Sequence, residues 1–215
     1  EFCGHYFCDG VDFQSLQVIG KQLPVAKKGL EVFYSEEETK HAEQLTLEHK
    51  LFSSRKVIVH PFDSTWETRN LGSEAWQEII NFLSDFEYQV IAVGGAKHTD
   101  GDNTEIPHFE NCVNLYGKLS LLDTIALTDF IKPRLFVTTD TGPLHLAACT
   151  EVPIVGIFSV IRSMYRTPVR HGTLGWMFYP IDSLACNCLE ERYFYSAKAT
   201  KVSSCPKQYN ELKCI

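Results

Sequence analysis

The stretch Asp140-Thr141-Gly142-Pro143-Leu144-His145 sets a carboxylate, a hydroxyl and an imidazole around a glycine and a proline. Leu135, Phe136 and Val137 precede it, and Leu146, Ala147 and Ala148 follow. An apolar strand run, a polar glycine turn and a helix-forming run make a strand–loop–helix unit. Ligands of open α/β sheets bind at the carboxyl ends of the strands, where this turn falls. Backbone N–H groups at a helix start attract phosphate oxygens. Gly142 lets a ligand come close to the main chain, and Pro143 suits the first helical turn, where an N–H is not needed. The chemistry implied is a diphosphate cradle with a histidine beside it. Plainer roles stand next to these: Asp140 as a helix cap, His145 as a hydrogen-bonded core histidine. Thr139 and Leu144 read as structural.

A second set lies upstream. Ser64, Thr65 and Arg69 follow the run Val57-Ile58-Val59-His60-Pro61. A guanidinium and two hydroxyls after a strand could grip the same diphosphate, because charge-assisted hydrogen bonds to phosphate are short and strong. The same residues also fit as turn formers and a surface cation.

These groups need a scaffold to converge. Five apolar runs read as strands: Val57–His60, Val90–Val93, Cys112–Leu115, Leu135–Thr138 and Ile154–Phe158. Between them, Ser73–Phe86 is a helix with Trp76, Ile79, Ile80 and Leu83 on one face. Leu121–Phe130 and Pro143–Thr150 are two more helices, and residues 94–110 form a long polar loop. Continuous apolar strands alternating with helices predict an α/β fold with a doubly wound parallel sheet. Further forward, Val11, Phe13, Leu16 and Ile19-Gly20 give a short helical pattern, and Leu30–Tyr34 alternates as a strand would. Ser35 with Glu38 forms a capping box that opens a helix running to about His49. Glu36, Glu37 and Glu38 read as its solvated, dipole-favoured first turn.

The chain has 215 residues, enough for one full domain and an extra segment. A formal net charge of −7 argues against nucleic acid or an anionic membrane as a partner held by bulk charge. No stretch approaches about 18 apolar residues, so no transmembrane helix is expected. The start Glu1-Phe2 carries no basic region or apolar core of a signal peptide. A cytoplasmic protein is the expectation, and the missing initiator Met suggests a fragment.

The string Asp140-Thr141-Gly142-Pro143-Leu144-His145-Leu146-Ala147-Ala148, followed by Val152-Pro153-Ile154-Val155-Gly156-Ile157-Phe158, resembles the signature of glycosyltransferase family 9. That is the ADP-heptose:lipopolysaccharide heptosyltransferase family, with a pattern of roughly D-T/S-G-P-x-H-L-A-A, then P-x-V-x-L-F. Val57–Pro61 with Ser64, Thr65, Arg69 and Trp76 is similar to its upstream block, and Val90–Gly95 to its next strand and glycine turn. Arg69 stands where the family usually has Lys, Leu71 where it has Trp, and Gly72 where it has Pro. The two cations differ in geometry, which bears on donor preference.

The resemblance implies the Rossmann-like carboxyl-terminal half of a GT-B glycosyltransferase. Residues 1–53 would be the connector from a missing amino-terminal acceptor domain, 54–183 the donor-binding domain and 184–215 a cysteine-containing tail. It implies transfer of a sugar from a nucleoside-diphosphate sugar to a glycan or protein acceptor, as in lipopolysaccharide biosynthesis, with no cofactor required for catalysis. The catalytic base would lie on the missing amino-terminal domain, and that domain or an oligomer would be the chain's protein partner. Ser64, Thr65, Arg69, Asp140, Thr141, Gly142, Pro143 and His145 would hold the donor. Asp100, Asp102 and Glu105 are candidates for the ribose, and Lys118 to Leu121 resembles the family's base-contacting G-x-x-S-L block. The alternative is a non-catalytic, transferase-like binding or assembly module.

Cysteine placement is uneven. Cys112 and Cys149 sit in apolar contexts and read as buried thiols, while Cys3 and Cys8 lie at the front. Cys186, Cys188, Cys205 and Cys214 are enough for a structural zinc or iron, although C-x-C is tighter than the usual zinc spacing. Some members of the wider heptosyltransferase group carry a cysteine-bound iron in a similar position. Metal site, free thiols and disulfides all stand as readings, with a reducing compartment disfavouring the last.

Overall fold

The computed structural model describes residues 31–61, 71–95, 108–158, 163, 166–168, 170 and 177–182. The expectations for Ser64, Thr65, Arg69, Asp100, Asp102, Glu105, the front cysteines, the four tail cysteines and the front helical pattern lie outside these residues.

Six strands form one parallel sheet: β1 Lys56–His60, β2 Gln89–Ala92, β3 Val113–Asn114, β4 Leu135–Thr139, β5 Ile154–Phe158 and β6 Phe178–Asp182. Their order is β3-β2-β1-β4-β5-β6. This is the doubly wound, Rossmann-like arrangement expected from the alternating apolar strands and helices. Its winding reverses between β1 and β4, and ligands of such sheets bind outside the carboxyl ends of the strands at that reversal.

Successive strand residues point to opposite faces, so β1, β2, β4 and β5 each serve two cores. On one face Ile58, Ile91, Phe136 and Ile154 pack with α1 (Glu36–Glu48), α3 (Leu121–Ile131) and α4 (Gly142–Ala147), through Ala42, Leu45, Leu127, Ile131, Leu144 and Ala147. On the other, Val57, Val59, Val90, Ala92, Val137 and Ile157 pack against Trp76 and Ile80 of α2 (Ser73–Asp85). Burial of both faces is why the strands lack polar alternation. The α1 helix lies upstream of residue 54, yet it shares the core of the sheet.

The capping box of α1 is present, with Ser35 accepting from Glu37 N and Glu38 accepting from Ser35 N at 2.7 Å. A second box opens α3: Asp123 N donates to Ser120 Oγ at 3.1 Å, and Ser120 N to Asp123 Oδ2 at 2.9 Å. Two local expectations differ from the structure. Residues 31–35 are not a strand; Tyr34 donates its hydroxyl to Asp129 of α3 at 3.0 Å, and Ser35 is committed to the α1 cap. The sheet also has a sixth strand where no strand is read from the sequence. In β6 the middle residues Tyr179, Pro180 and Ile181 are exposed, and Pro180 cannot donate to a ladder, as suits an edge strand.

Candidate functional site

The reversal between β1 and β4 is lined by the ends of both strands. His60 pairs in register with Thr138, and both are buried. Thr138 Oγ1 lies 3.4 Å from His60 Nδ1 and 3.3 Å from Thr141 Oγ1. Thr141 Oγ1 also reaches back to Thr139 O at 3.4 Å. These long contacts tie the Asp140 turn to both central strands. The structure therefore gathers Asp140, Thr141, Gly142, Pro143 and His145 at the carboxyl edge beside β1.

Thr141, not Asp140, is the N-cap of α4, and it makes no side-chain cap hydrogen bond. Pro143 sits at the start of α4, as its sequence position implied. The first-turn N–H groups are thus not satisfied by a side-chain cap. The helix has six residues, so local N–H groups matter here more than a macrodipole. Gly142 is exposed, and a Cβ built on it meets nothing within 4 Å, so its surface is open to solvent. His145 is half-buried on the same helix, its carbonyl accepting from Cys149 Sγ at 3.3 Å.

Asp140 is 3 % exposed, and its Oδ2 lies 3.6 Å from Nε of Arg166. Arg166 carried no signal in the sequence, because a single arginine outside any motif or periodic run has no pattern. Its position follows from the unforeseen edge strand. Asp182 at the end of β6 accepts from Ser163 N at 2.7 Å and from Ser163 Oγ at 2.5 Å. Ser163 O in turn accepts from Arg166 N at 2.8 Å and Thr167 N at 2.7 Å. The pinned turn carries Arg166 to Asp140.

Other polar groups lie further from the reversal. Gly94, after β2, accepts at its carbonyl from Gly117 N at 2.9 Å, which brings the 117–120 segment to the same edge of the sheet. The hydroxyl of Ser120 in that segment is used by the α3 cap. Leu71, a departure from the family pattern, is packed with Trp76 in the core. Cys112 and Cys149 are half-buried and form no disulfide; burial raises both thiols, Cys112 to about 11. Among the described residues no group of three or more His, Cys, Asp or Glu is placed to hold a metal. No described helix is long and apolar enough to cross a membrane.

A parallel sheet wound in the order β3-β2-β1-β4-β5-β6 defines a doubly wound, Rossmann-like α/β unit. Residues 14–188 match the family described as "Glycosyltransferase family 9 (heptosyltransferase)". The chain belongs to glycosyltransferase family 9. It is 26 % identical over 152 residues to the lipopolysaccharide core heptosyltransferase OpsX of Haemophilus influenzae, covering 69 % of this chain and 40 % of that protein. Two solved structures share its fold. The glycosyl transferase family 9 protein from Veillonella parvula has a TM-score of 0.57 at 18 % identity, covering 78 % of this chain and 47 % of that one. The ADP-heptose LPS heptosyltransferase II of E. coli has a TM-score of 0.54 at 20 % identity, covering 75 % and 47 %. The chain spans less than half the length of these relatives.

Proposed function

We propose that this chain is the donor-binding half of a GT-B glycosyltransferase that moves a sugar from a nucleoside-diphosphate sugar to a glycan or protein acceptor. The observation that carries the reading is the placement of Asp140 to His145 at the reversal between β1 and β4. The donor-binding unit would be residues 54–183 with α1 packed against it, and 184–215 a tail.

Departure of the sugar leaves negative charge on the terminal phosphate. A site stabilises that charge with oriented N–H groups and cations. Backbone N–H groups of the Thr141–Leu144 turn would meet the diphosphate, and His145 would hydrogen-bond it from the next helical turn. Ser64, Thr65 and Arg69, on the segment that follows β1 in sequence, would add hydroxyl and guanidinium contacts to the diphosphate. The acceptor hydroxyl would be deprotonated by a base outside this chain. Family membership and the name of the E. coli relative favour an ADP-sugar as donor and a lipopolysaccharide-type glycan as acceptor.

Titration calorimetry of the chain with ADP, UDP, GDP and their sugar conjugates tests the proposal. Saturable binding of one nucleotide is expected. His145→Ala and Arg69→Ala should each weaken it by about 10-fold or more while the far-UV spectrum stays unchanged. Unchanged affinity in both folded variants would sink the assignment.

A further inference from the structure

Asp140 presents a difficulty for an anion site. A carboxylate in the turn that receives a diphosphate repels it, and burial weakens the screening that would relieve the repulsion. Arg166 answers that difficulty. Its Nε lies 3.6 Å from Asp140 Oδ2, and the two side chains are 14 % and 4 % exposed. We propose that Arg166 is the charge-balancing residue of this turn: it neutralises Asp140, so that the Thr141–Gly142 backbone accepts a diphosphate. The inference rests on the donor-site reading above and adds to it a residue that follows β5 in sequence.

Two features make Arg166 suited to the task. A guanidinium stays charged throughout the accessible pH range, and its planar fork holds its orientation beside a carboxylate. Its backbone is fixed independently of Asp140, through Ser163 and the Asp182 carboxylate at the end of β6. The cation is therefore in place before any ligand arrives, and no group needs to reorganise when the ligand binds.

The test is titration of the full chain and of Arg166→Gln, Asp140→Asn and the double variant, using whichever of ADP, UDP or GDP the wild type binds and its monophosphate. Arg166→Gln is expected to lose about 10-fold or more in diphosphate affinity and less in monophosphate affinity, because the repulsion grows with ligand charge. A merely structural role would lower both equally. The double variant carries no carboxylate at position 140, so its diphosphate affinity should return to within about 3-fold of Asp140→Asn alone. Should Arg166→Gln not fold, this last comparison decides the matter by itself. A double variant far weaker than Asp140→Asn overturns charge balance as the role. Failure of the wild type to bind any nucleotide overturns the donor site itself, and that result is read before any variant is made.

Discussion

At the scale of single residues, Gly94 and Gly95 differ sharply although they are neighbours. A Cβ on Gly94 would lie 2.2 Å from Cε1 of the Tyr116 ring, while one on Gly95 meets nothing within 4 Å. Tyr116 is 6 % exposed and held against Phe109, so the ring has little room to yield. Gly94→Ala should cost about 1–3 kcal/mol of overpacking, and Gly95→Ala should stay within about 0.5 kcal/mol. Urea unfolding of the two variants checks this; equal midpoints would disprove it. Thr139 gives the opposite expectation. Its Oγ1 is fully buried with no hydrogen-bond partner among the described residues. Replacing it with the near-isosteric Val removes an unsatisfied hydroxyl. Thr139→Val should therefore leave the melting temperature unchanged or raise it. A clear drop would show that the hydroxyl has a partner of consequence.

At the scale of elements, α1 is held on α3 by polar bridges as well as apolar packing. His41 Nδ1 lies 2.9 Å from Asp123 Oδ1, and Asp123 also closes the α3 capping box. Burial raises the Asp123 carboxyl, but hydrogen bonds from Ser120 and His41 outweigh it and leave the group below its usual 3.8. A carboxylate lowered on folding stabilises the protein above its unfolded value. That stabilisation is lost as pH falls from about 5 through the folded value. Asp123→Asn should flatten the acid limb of melting temperature against pH between about 6 and 3; an unchanged slope would count against the bridge. Ser35 and Glu38 of α1 were legible because a capping box is a local four-residue pattern. The face of α2 was legible because Trp76, Ile79, Ile80 and Leu83 repeat at the helical period. β6 was not, since an exposed edge strand containing Pro180 has neither alternation nor an apolar run. Leu30–Tyr34 misled for the converse reason: alternation marks an extended chain, but a strand also needs a neighbour with open ladder positions. Arg166 and Asp182 stayed hidden because their roles come from contacts between distant segments, which no window of sequence contains.

At the scale of the whole molecule, the proposed donor-site residues Asp140 to His145 sit where the two halves of the sheet meet, so binding there would be thermodynamically linked to folding. Nucleotide at about 100 times its dissociation constant should add about 2.7 kcal/mol of stability, raising the melting temperature by about 5–10 °C. His145→Ala should reduce that rise at the same concentration, and an unaltered shift would remove His145 from the site. The seam itself has a kinetic meaning. His60 and Thr138 meet at a sequence separation of 78, and β2, β3 and the helices α2 and α3 all lie within that interval. Closing so long a loop is entropically slow, and parallel pairing rewards the closure only once both strands are in register. The β1–β4 contact is therefore expected late in folding, after each flank has condensed locally. A nascent chain would acquire its Asp140 turn well before that turn has a β1 beside it, and competence for nucleotide would arrive together with the last large rise in protection of backbone amides from exchange.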